Sequence, residues 1–162
     1  MTEIVFSPEV EAARKDGRPF VALESTILTH GLPKPDNLAI GREIESEVRQ
    51  TGAVPATIAL IDGEARIGLS DEDLAHLCAA DNAVKLSRRD LGIALSQGWT
   101  GGTTVAATMI LAARAGIEPL EAVPAEDQGR ARVRVRRNAQ LAGDDVRRPA
   151  RQDRQGEGVL DR

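Results

Sequence analysis

A β-hairpin is the strongest local prediction from this sequence. The continuous apolar run of residues 56–61 contains β-branched side chains, and Asp62-Gly63 separates it from a second apolar run, residues 65–69. Asp-Gly is typical of the two-residue type I′ turn, because both central residues of that turn need a positive φ. We therefore expect a sheet that contains this hairpin.

Helices and further strands flank the predicted hairpin. Capping residues predict helices that begin after Ser7, at Asp36 or Asn37, after Ser70 and after Ser87. Two short strands and an Ala-rich helix, expected to be buried on most sides, are predicted at residues 20–23, 83–86 and 105–115. This order of elements predicts a layered α/β fold with a mixed or parallel sheet.

The segment after the first strand contains residues that break regular structure. One glycine and two prolines fall between residues 25 and 37, which predicts a long loop. The helix that follows is predicted to run to about Gln50. Its apolar side chains share one face, and Glu45 is expected to point away from that face.

The composition argues against nucleic-acid and membrane partners. Aromatic residues make up 2% of the chain, too few for platforms that stack single-stranded nucleic acid. The formal net charge of −4 provides no global attraction to polyanions. No apolar run approaches the roughly 18 residues of a membrane span, and the start lacks the pattern of a signal peptide. Because the single cysteine, Cys78, also excludes an internal disulfide, we expect a cytoplasmic protein.

Two charged side chains follow or interrupt predicted strands. Glu24 directly follows strand 20–23, and ligands of open α/β sheets collect beyond the carboxyl ends of strands. Its carboxylate suits general acid–base chemistry, and the alternative is that it caps neighbouring backbone N–H groups. Lys85 lies between Val84 and Leu86, where its ammonium could bind a phosphate or a carbonyl oxygen; the alternative is a solvated edge lysine.

A Gly-Gly-Thr-Thr segment, residues 101–104, precedes the Ala-rich helix. It could form an anion-binding turn at the start of that helix, and the alternative is an ordinary turn with a threonine N-cap. His30 and His76 lie far apart and show no metal-binding spacing, so we predict no metal pair. His76 is expected to be solvated, and Cys78 is expected to be a core side chain.

Four blocks of sequence occur in a fixed order over about a hundred residues: ALESTILTHGLP, GAVPATIALIDG, VKLSRRDL and GGTTVAATMILAARAGI. Together they resemble the pseudouridine-5′-phosphate glycosidase family, also described as indigoidine synthase A-like, from about residue 19 to residue 117. The resemblance implies a three-layer α/β/α fold and a homotrimer. It also implies reversible cleavage of the carbon–carbon glycosidic bond of pseudouridine 5′-phosphate to uracil and ribose 5-phosphate.

The resemblance also implies roles for particular residues. The family glutamate that moves protons corresponds to Glu24, and two substrate contacts correspond to Lys85 and Val105. The family opens the ribose and holds it as a Schiff base on a lysine, with a divalent metal, typically Mn²⁺, nearby. In the family a TGGIGGVHR segment is followed by an FDxSAD block with the metal aspartate and a CAGxKSILD block with the Schiff-base lysine. This sequence contains none of the three, and no lysine follows Lys85.

We therefore expect residues 1–117 to be the amino-terminal part of the glycosidase domain, with a sheet that is incomplete on its C-terminal side. Residues 118–162 are expected to be a divergent, Arg-rich, disordered tail, because they offer little apolar area to bury. A frame disruption in the coding sequence is one hypothesis for this change. Two functions stay open, an active glycosidase and an inactive fragment that binds a phosphosugar or associates with other chains.

Overall fold

A six-stranded mixed sheet organises the part of the chain that the computed structural model describes, residues 4–117, 122–123 and 132–133. The strands are β1 Ile4–Phe6, β2 Phe20–Leu23, β3 Val54–Ile61, β4 Glu64–Ile67, β5 Val84–Leu86 and β6 Gly101–Thr103. The order across the sheet is β1-β4-β3-β6-β5, and β2 pairs with β3. The fold class is therefore α/β, as predicted.

In the described part of the chain, five helices and one π-helical turn accompany these strands. The helices are α1 Pro8–Asp16, α2 Asp36–Gln50, α3 Asp71–Ala79, α4 Leu91–Ser96 and α5 Val105–Arg114, and the π-helical turn is Ile27–Gly31. Two more short strands, β7 Ala122–Val123 and β8 Arg132–Val133, pair with each other in antiparallel register. The rest of the predicted tail, residues 118–162, lies outside the described residues. Within the described residues, none of the helices has the length and hydropathy to cross a bilayer.

The predicted hairpin is confirmed as the pair β3–β4. Asp62 and Gly63 both have positive φ, 51° and 79°, as the type I′ turn requires. β3 is buried along its whole length and is the central strand of the sheet, because it pairs with β2, β4 and β6. The hairpin therefore supplies the strand around which the sheet is assembled.

The two faces of β3 support separate apolar cores. Val54, Ala56, Ile58 and Leu60 belong to a cluster that includes residues of α1, α4 and α5. The alternate residues Ala59 and Ile61 belong to a second cluster with the π-helical turn and α3, while Leu38 of α2 packs against it. Because side chains alternate along a strand, this division places helices on both faces of the sheet. The three-layer α/β/α expectation agrees with this arrangement.

The segment predicted as a long loop after β2 contains regular structure, so that prediction is wrong. Residues 27–31 form the π-helical turn, and the amides of Leu28 and Thr29 both donate to the carbonyl of Ser25. The turn persists because Leu28 is buried against α3 and because the turn packs onto β6. The breakers Pro33 and Pro35 only end it.

Two helix predictions also need correction. The helix predicted after Ser87 begins at Leu91, because the Asp90 carboxylate accepts bonds from the Ser87 amide and hydroxyl and holds a turn before it. In α2, Glu45 is 6% exposed instead of pointing away from the packed face. Its carboxylate accepts a 2.6 Å hydrogen bond from the Thr57 hydroxyl and a 3.2 Å bond from Arg49, which satisfy its charge inside the layer.

Residue 37 also has a different role from the one predicted. Asn37 is not the N-cap residue of α2, which is Pro35; it is buried, and its amide nitrogen donates to the carbonyls of Leu28 and Cys78. Its side-chain oxygen accepts a 2.9 Å hydrogen bond from the Leu38 amide in the first turn. These bonds tie α2 to the π-helical turn and to α3. The predicted capping of α3 by Ser70 is confirmed, since Ser70 and Asp73 form a reciprocal capping box.

Two strands were missed by sequence reasoning. β1 lies at one end of the chain, and β6 consists of Gly101, Gly102 and Thr103, which read as a turn because glycine weakens strand propensity. A Cβ on Gly101 would clash with the carbonyl oxygen of Val84, and one on Gly102 would lie 2.7 Å from the carbonyl oxygen of Ser25. The sheet therefore needs glycine at both positions, because neighbouring backbone lies where a side chain would be.

We expect Gly101→Ala to lower the free energy of unfolding by about 1–3 kcal/mol or more, because the added methyl forces β5 and β6 apart. Gly92→Ala is the matched control, since a Cβ at that position in α4 meets no atom within 4 Å. Alanine there should leave stability unchanged or raise it by up to about 1 kcal/mol. Urea denaturation of both variants measures the difference. Equal stability of the two variants would contradict the packing described for β6.

Candidate active site

The carboxyl ends of three strands meet at one place in the sheet. β2 runs parallel to β3 and pairs with its first half, whereas β6 runs antiparallel to β3 and pairs with Ala59 and Leu60. The two strands therefore run towards each other along the same side of β3, and the Ser25 amide donates to the Thr103 carbonyl where they meet. β5 lies parallel to β6, so its carboxyl end reaches the same place.

A buried hydroxyl cluster closes the junction between β2 and β6. The carbonyl oxygen of Ile58 accepts hydrogen bonds from the hydroxyls of Ser25 and Thr103, both at 2.6 Å. The Ser25 hydroxyl oxygen accepts a further bond from the Thr103 amide at 2.9 Å, and the Thr103 and Thr108 hydroxyls lie 2.8 Å apart. We call these three hydroxyls and the Ile58 carbonyl the junction cluster. It holds the strand ends from which the predicted site residues extend.

Glu24 lies immediately after β2 at this junction. Its carboxylate accepts hydrogen bonds from the amides of Thr26 at 3.0 Å and Ile27 at 3.3 Å, so the capping alternative describes its contacts. The side chain is half-buried and forms one wall of a small cleft of about 20 Å³ between the π-helical turn and α2. Each carboxylate oxygen has two lone pairs, so these bonds leave it capacity to accept a proton.

Lys85 lies on β5 directly opposite Gly102 of β6, and its side chain is exposed. The π-helical turn packs over Gly102, so Lys85 is beside the turn that follows Glu24. Within the described residues no ion pair joins Lys85 to Glu24, because the Lys85 ammonium nitrogen is more than 4.0 Å from the carboxylate oxygens of Glu24. The structure thus brings both residues to one region, with the exposed ammonium of Lys85 at its edge.

Val105 begins α5, directly after the carboxyl end of β6. Thr104 occupies the N-cap position, but α5 has no side-chain cap, and the buried Thr104 hydroxyl has no hydrogen-bond partner among the described residues. The alternative of an ordinary threonine N-cap is therefore wrong, and the preceding hydroxyl, Thr103, belongs to the junction cluster. Among the residues that the structure describes, no side chain accepts from the first-turn amides of α5, and the positive end of the helix dipole lies there.

The histidines and the cysteine lie outside this arrangement. His76 is exposed, as predicted, whereas His30 lies in the π-helical turn with its Nδ1 atom 2.8 Å from the Thr29 hydroxyl. Cys78 is a buried core residue, and burial raises the pKa of its thiol. In the described part of the chain, no three His, Cys, Asp or Glu residues come together as metal ligands. These residues therefore do not fit a manganese site, and we assign no step to the metal.

A second, larger cleft of about 380 Å³ lies away from the junction, where the starts of α1 and α3 face α2. Ion pairs line it: Arg49 binds Glu9 through two nitrogen atoms, and Arg42 binds Asp71 in the same way. The hydrogen bond from Arg49 lowers the pKa of Glu9, and the one from Arg42 lowers the pKa of Asp71. Paired charges occupy this cleft, so its size alone does not make it the functional site.

The Glu9–Arg49 pair predicts an acid-dependent loss of stability. Because the folded-state pKa of Glu9 is lowered from its ordinary value of 4.5, its contribution is present above pH 4.5 and is lost as pH falls through the lowered pKa. The melting temperature of Glu9→Gln should therefore fall less between pH 6 and 3 than that of the unmodified chain. Glu43→Gln, which removes an exposed carboxylate without an ion pair in the described region, should follow the unmodified chain. A Glu9→Gln profile parallel to both would contradict this role.

Comparison with known proteins identifies the family. A family model described as "Indigoidine synthase A like protein" matches residues 9–122. The chain belongs to this indigoidine synthase A-like family. The predicted resemblance is thereby confirmed, and the match begins earlier and ends later than the four sequence blocks suggested.

Curated relatives of this indigoidine synthase A-like chain are named pseudouridine-5′-phosphate glycosidase. The protein from Jannaschia sp. (strain CCS1) is 59% identical over 114 residues, which are 70% of this chain and 38% of the relative. The protein from Herpetosiphon aurantiacus is 52% identical over 118 residues, which are 73% of this chain and 39% of the relative. The chain thus spans less than half the length of these relatives.

Solved structures agree with the family assignment. The prealnumycin C-glycosynthase AlnA in complex with ribulose 5-phosphate has 40% sequence identity and a TM-score of 0.62, covering 71% of this chain and 37% of that one. An indigoidine synthase A-like protein from Thermotoga maritima has 31% identity and a TM-score of 0.63, covering 72% and 38%. The individual roles of Glu24, Lys85 and Val105 stay predictions.

Proposed function

We propose that this chain carries the amino-terminal part of an active site that reversibly cleaves pseudouridine 5′-phosphate to uracil and ribose 5-phosphate. The observation that supports the proposal is the junction of β2, β5 and β6, where Glu24 follows β2, Lys85 lies on β5 and Val105 follows β6. The names of the curated relatives support the substrate, and the phosphosugar in the C-glycosynthase complex supports a sugar-phosphate ligand.

Glu24 is proposed to move the proton that this reaction needs. When water cleaves the carbon–carbon bond, the uracil carbon that leaves the sugar must gain a proton and the sugar carbon must gain the hydroxyl group. In the reverse direction water is released and the uracil carbon loses its proton. A carboxyl group can do both, because it alternates between acid and base. The amides of Thr26 and Ile27 hold the ionised Glu24 carboxylate in a defined orientation, which suits its role as the base that accepts the proton.

Lys85 and the start of α5 are proposed to bind the phosphosugar. The exposed ammonium of Lys85 is a point charge suited to a phosphate or a sugar oxygen. The uncapped amides at Val105 lie at the positive end of the α5 dipole, where anions are favoured. The family pattern places its Schiff-base lysine in a block that this sequence does not contain, so we propose no covalent step by residues of this chain.

Uracil release from pseudouridine 5′-phosphate, measured by chromatography with Mn²⁺ present, tests the proposal directly. If the chain is active, Glu24→Gln should lower the rate by about 100- to 10,000-fold, the usual effect of a positioned acid–base group. Glu43→Gln, a change of the same kind at an exposed position on α2, should leave the rate unchanged. Equal rates for the two variants would remove Glu24 from the mechanism.

Phosphosugar binding can be tested apart from turnover. We expect ribose 5-phosphate to bind the full chain in isothermal calorimetry and Lys85→Gln to weaken that binding by about tenfold or more, because one charge-assisted contact is lost. Lys15→Gln is the control, since Lys15 is exposed on α1 and forms an ion pair with Glu11 there. Equal affinities for the two variants would show that Lys85 does not contact the ligand.

The second candidate function is an inactive fragment that binds a phosphosugar or associates with other chains. The exposed apolar side chains of α5 favour it: Val105 is 63% exposed and Met109 62% exposed, although this helix was predicted to be buried on most sides. The homotrimer and the cytoplasmic location implied by the sequence stay proposals as well. Phosphosugar binding without uracil release would support this candidate, and sedimentation velocity would determine the assembly.

A further inference from the structure

We infer that Ser25 and Thr103 are positioning residues, whose hydroxyl groups set the location of Glu24 relative to the start of α5. The inference rests on the proposed function, because it assigns a task to the junction cluster of that same site. Neither residue is exposed: both have 0% relative accessibility, so they act through the strand ends they join. Glu24 directly precedes Ser25, and the start of α5 follows Thr103 by two residues.

The junction needs more connection than the backbone bond from the Ser25 amide to the Thr103 carbonyl supplies. Neighbouring strands normally align through a ladder of backbone bonds, but β2 and β6 meet end to end. β2 pairs with β3 up to Thr57 and β6 pairs from Ala59, so Ile58 lies opposite the gap between them. Its carbonyl would lack a partner in that gap without the two hydroxyls, and buried carbonyls are almost always bonded.

The direction of each bond follows from counting hydrogens. A carbonyl only accepts hydrogen bonds, so the hydroxyls of Ser25 and Thr103 each donate their single proton to the Ile58 carbonyl oxygen. The Thr103 oxygen must then accept from Thr108, and the Ser25 oxygen accepts from the Thr103 amide. Every donor therefore has one partner, which leaves the cluster a single arrangement. Such a network fixes two strand ends more firmly than one bond would.

Loss of one hydroxyl should therefore move Glu24 without removing any group that touches the substrate. Thr103→Val keeps the shape of the side chain and deletes the hydroxyl, whereas Thr103→Ser keeps the hydroxyl and deletes a methyl group. Ser25→Ala is the second variant, and it keeps the test decisive if Thr103→Val does not fold. In each case the valine or alanine variant tests the bond, and the serine variant at position 103 tests the packing.

The first measurement is spectroscopic and uses the full chain. The amide protons of Thr26 and Ile27 donate to the Glu24 carboxylate, so their NMR shifts change when it ionises. We expect Thr103→Val and Ser25→Ala to reduce this change to less than about half, because the bonds lengthen, and Thr103→Ser to preserve it. The Ser70 amide, which donates to Asp73 in the capping box of α3, is the internal control, and its shift change should be the same in every variant.

Two results would overturn the inference. The pH-dependent shift change of the Thr26 and Ile27 amide protons could be the same in both hydroxyl-deletion variants as in the unmodified chain. Alternatively, the shift change of the Ser70 amide could decrease together with that of Thr26 and Ile27. The first would show that the cluster does not position Glu24. The second would show general loosening of the fold, which any buried substitution can cause.

The second measurement separates this inference from the proposed function. If the unmodified chain releases uracil, Thr103→Val should lower kcat by about 10- to 100-fold and leave KM within about twofold, with recovery in Thr103→Ser. If the chain releases none and binds no ribose 5-phosphate, the proposed function fails, and the NMR titration still decides whether the cluster positions Glu24. An active chain in which Thr103→Val has normal kcat would refute the positioning role alone.

Discussion

The site arrangement depends on two hydrogen bonds at the centre of the sheet, which the Ile58 carbonyl accepts from the hydroxyls of Ser25 and Thr103. β3 carries two partners in succession on one side, β2 first and β6 after it, and their opposite directions make their carboxyl ends meet. Because the two strands meet end to end, the Ile58 carbonyl has no backbone partner in the ladder. A buried carbonyl without a hydrogen bond would destabilise the fold. Ser25 and Thr103 donate to the Ile58 carbonyl, and in doing so they join the end of β2, next to Glu24, to the end of β6, which leads into α5.

Close backbone approach is the second constraint at this point. β6 lies so near to β5 and to the π-helical turn that a Cβ at Gly101 or Gly102 would meet neighbouring backbone. The same absence of side chains lets the turn after Glu24 rest on β6, with Lys85 on the adjacent strand. The glycines and the hydroxyls therefore act together. The glycines of β6 let the strand ends approach, and the hydroxyls of the junction cluster hold the strand ends in register.

Local signals predicted part of this fold well. The Asp62-Gly63 turn, the capping box at Ser70 and the short strand before Glu24 follow from backbone preferences within a few residues, and all are present. Wrong predictions came where a distant partner decided the outcome. Glu45 is buried because Thr57 and Arg49 satisfy its charge, and the glycine strand β6 forms because β3 and β5 pair with it on either side.

The sequence by itself determined the family, the order of the elements and the chemical groups available at the site: a carboxylate after β2, an ammonium on β5 and a glycine-rich entry to α5. Those properties reside in residue types and short-range spacing, which are visible in one dimension. Only the tertiary structure decided that β2 and β6 meet end to end and that Ser25 and Thr103 share one carbonyl. Residues 25 and 103 are 78 positions apart, and hydrogen bonds across such a separation depend on strand pairing that no local preference specifies.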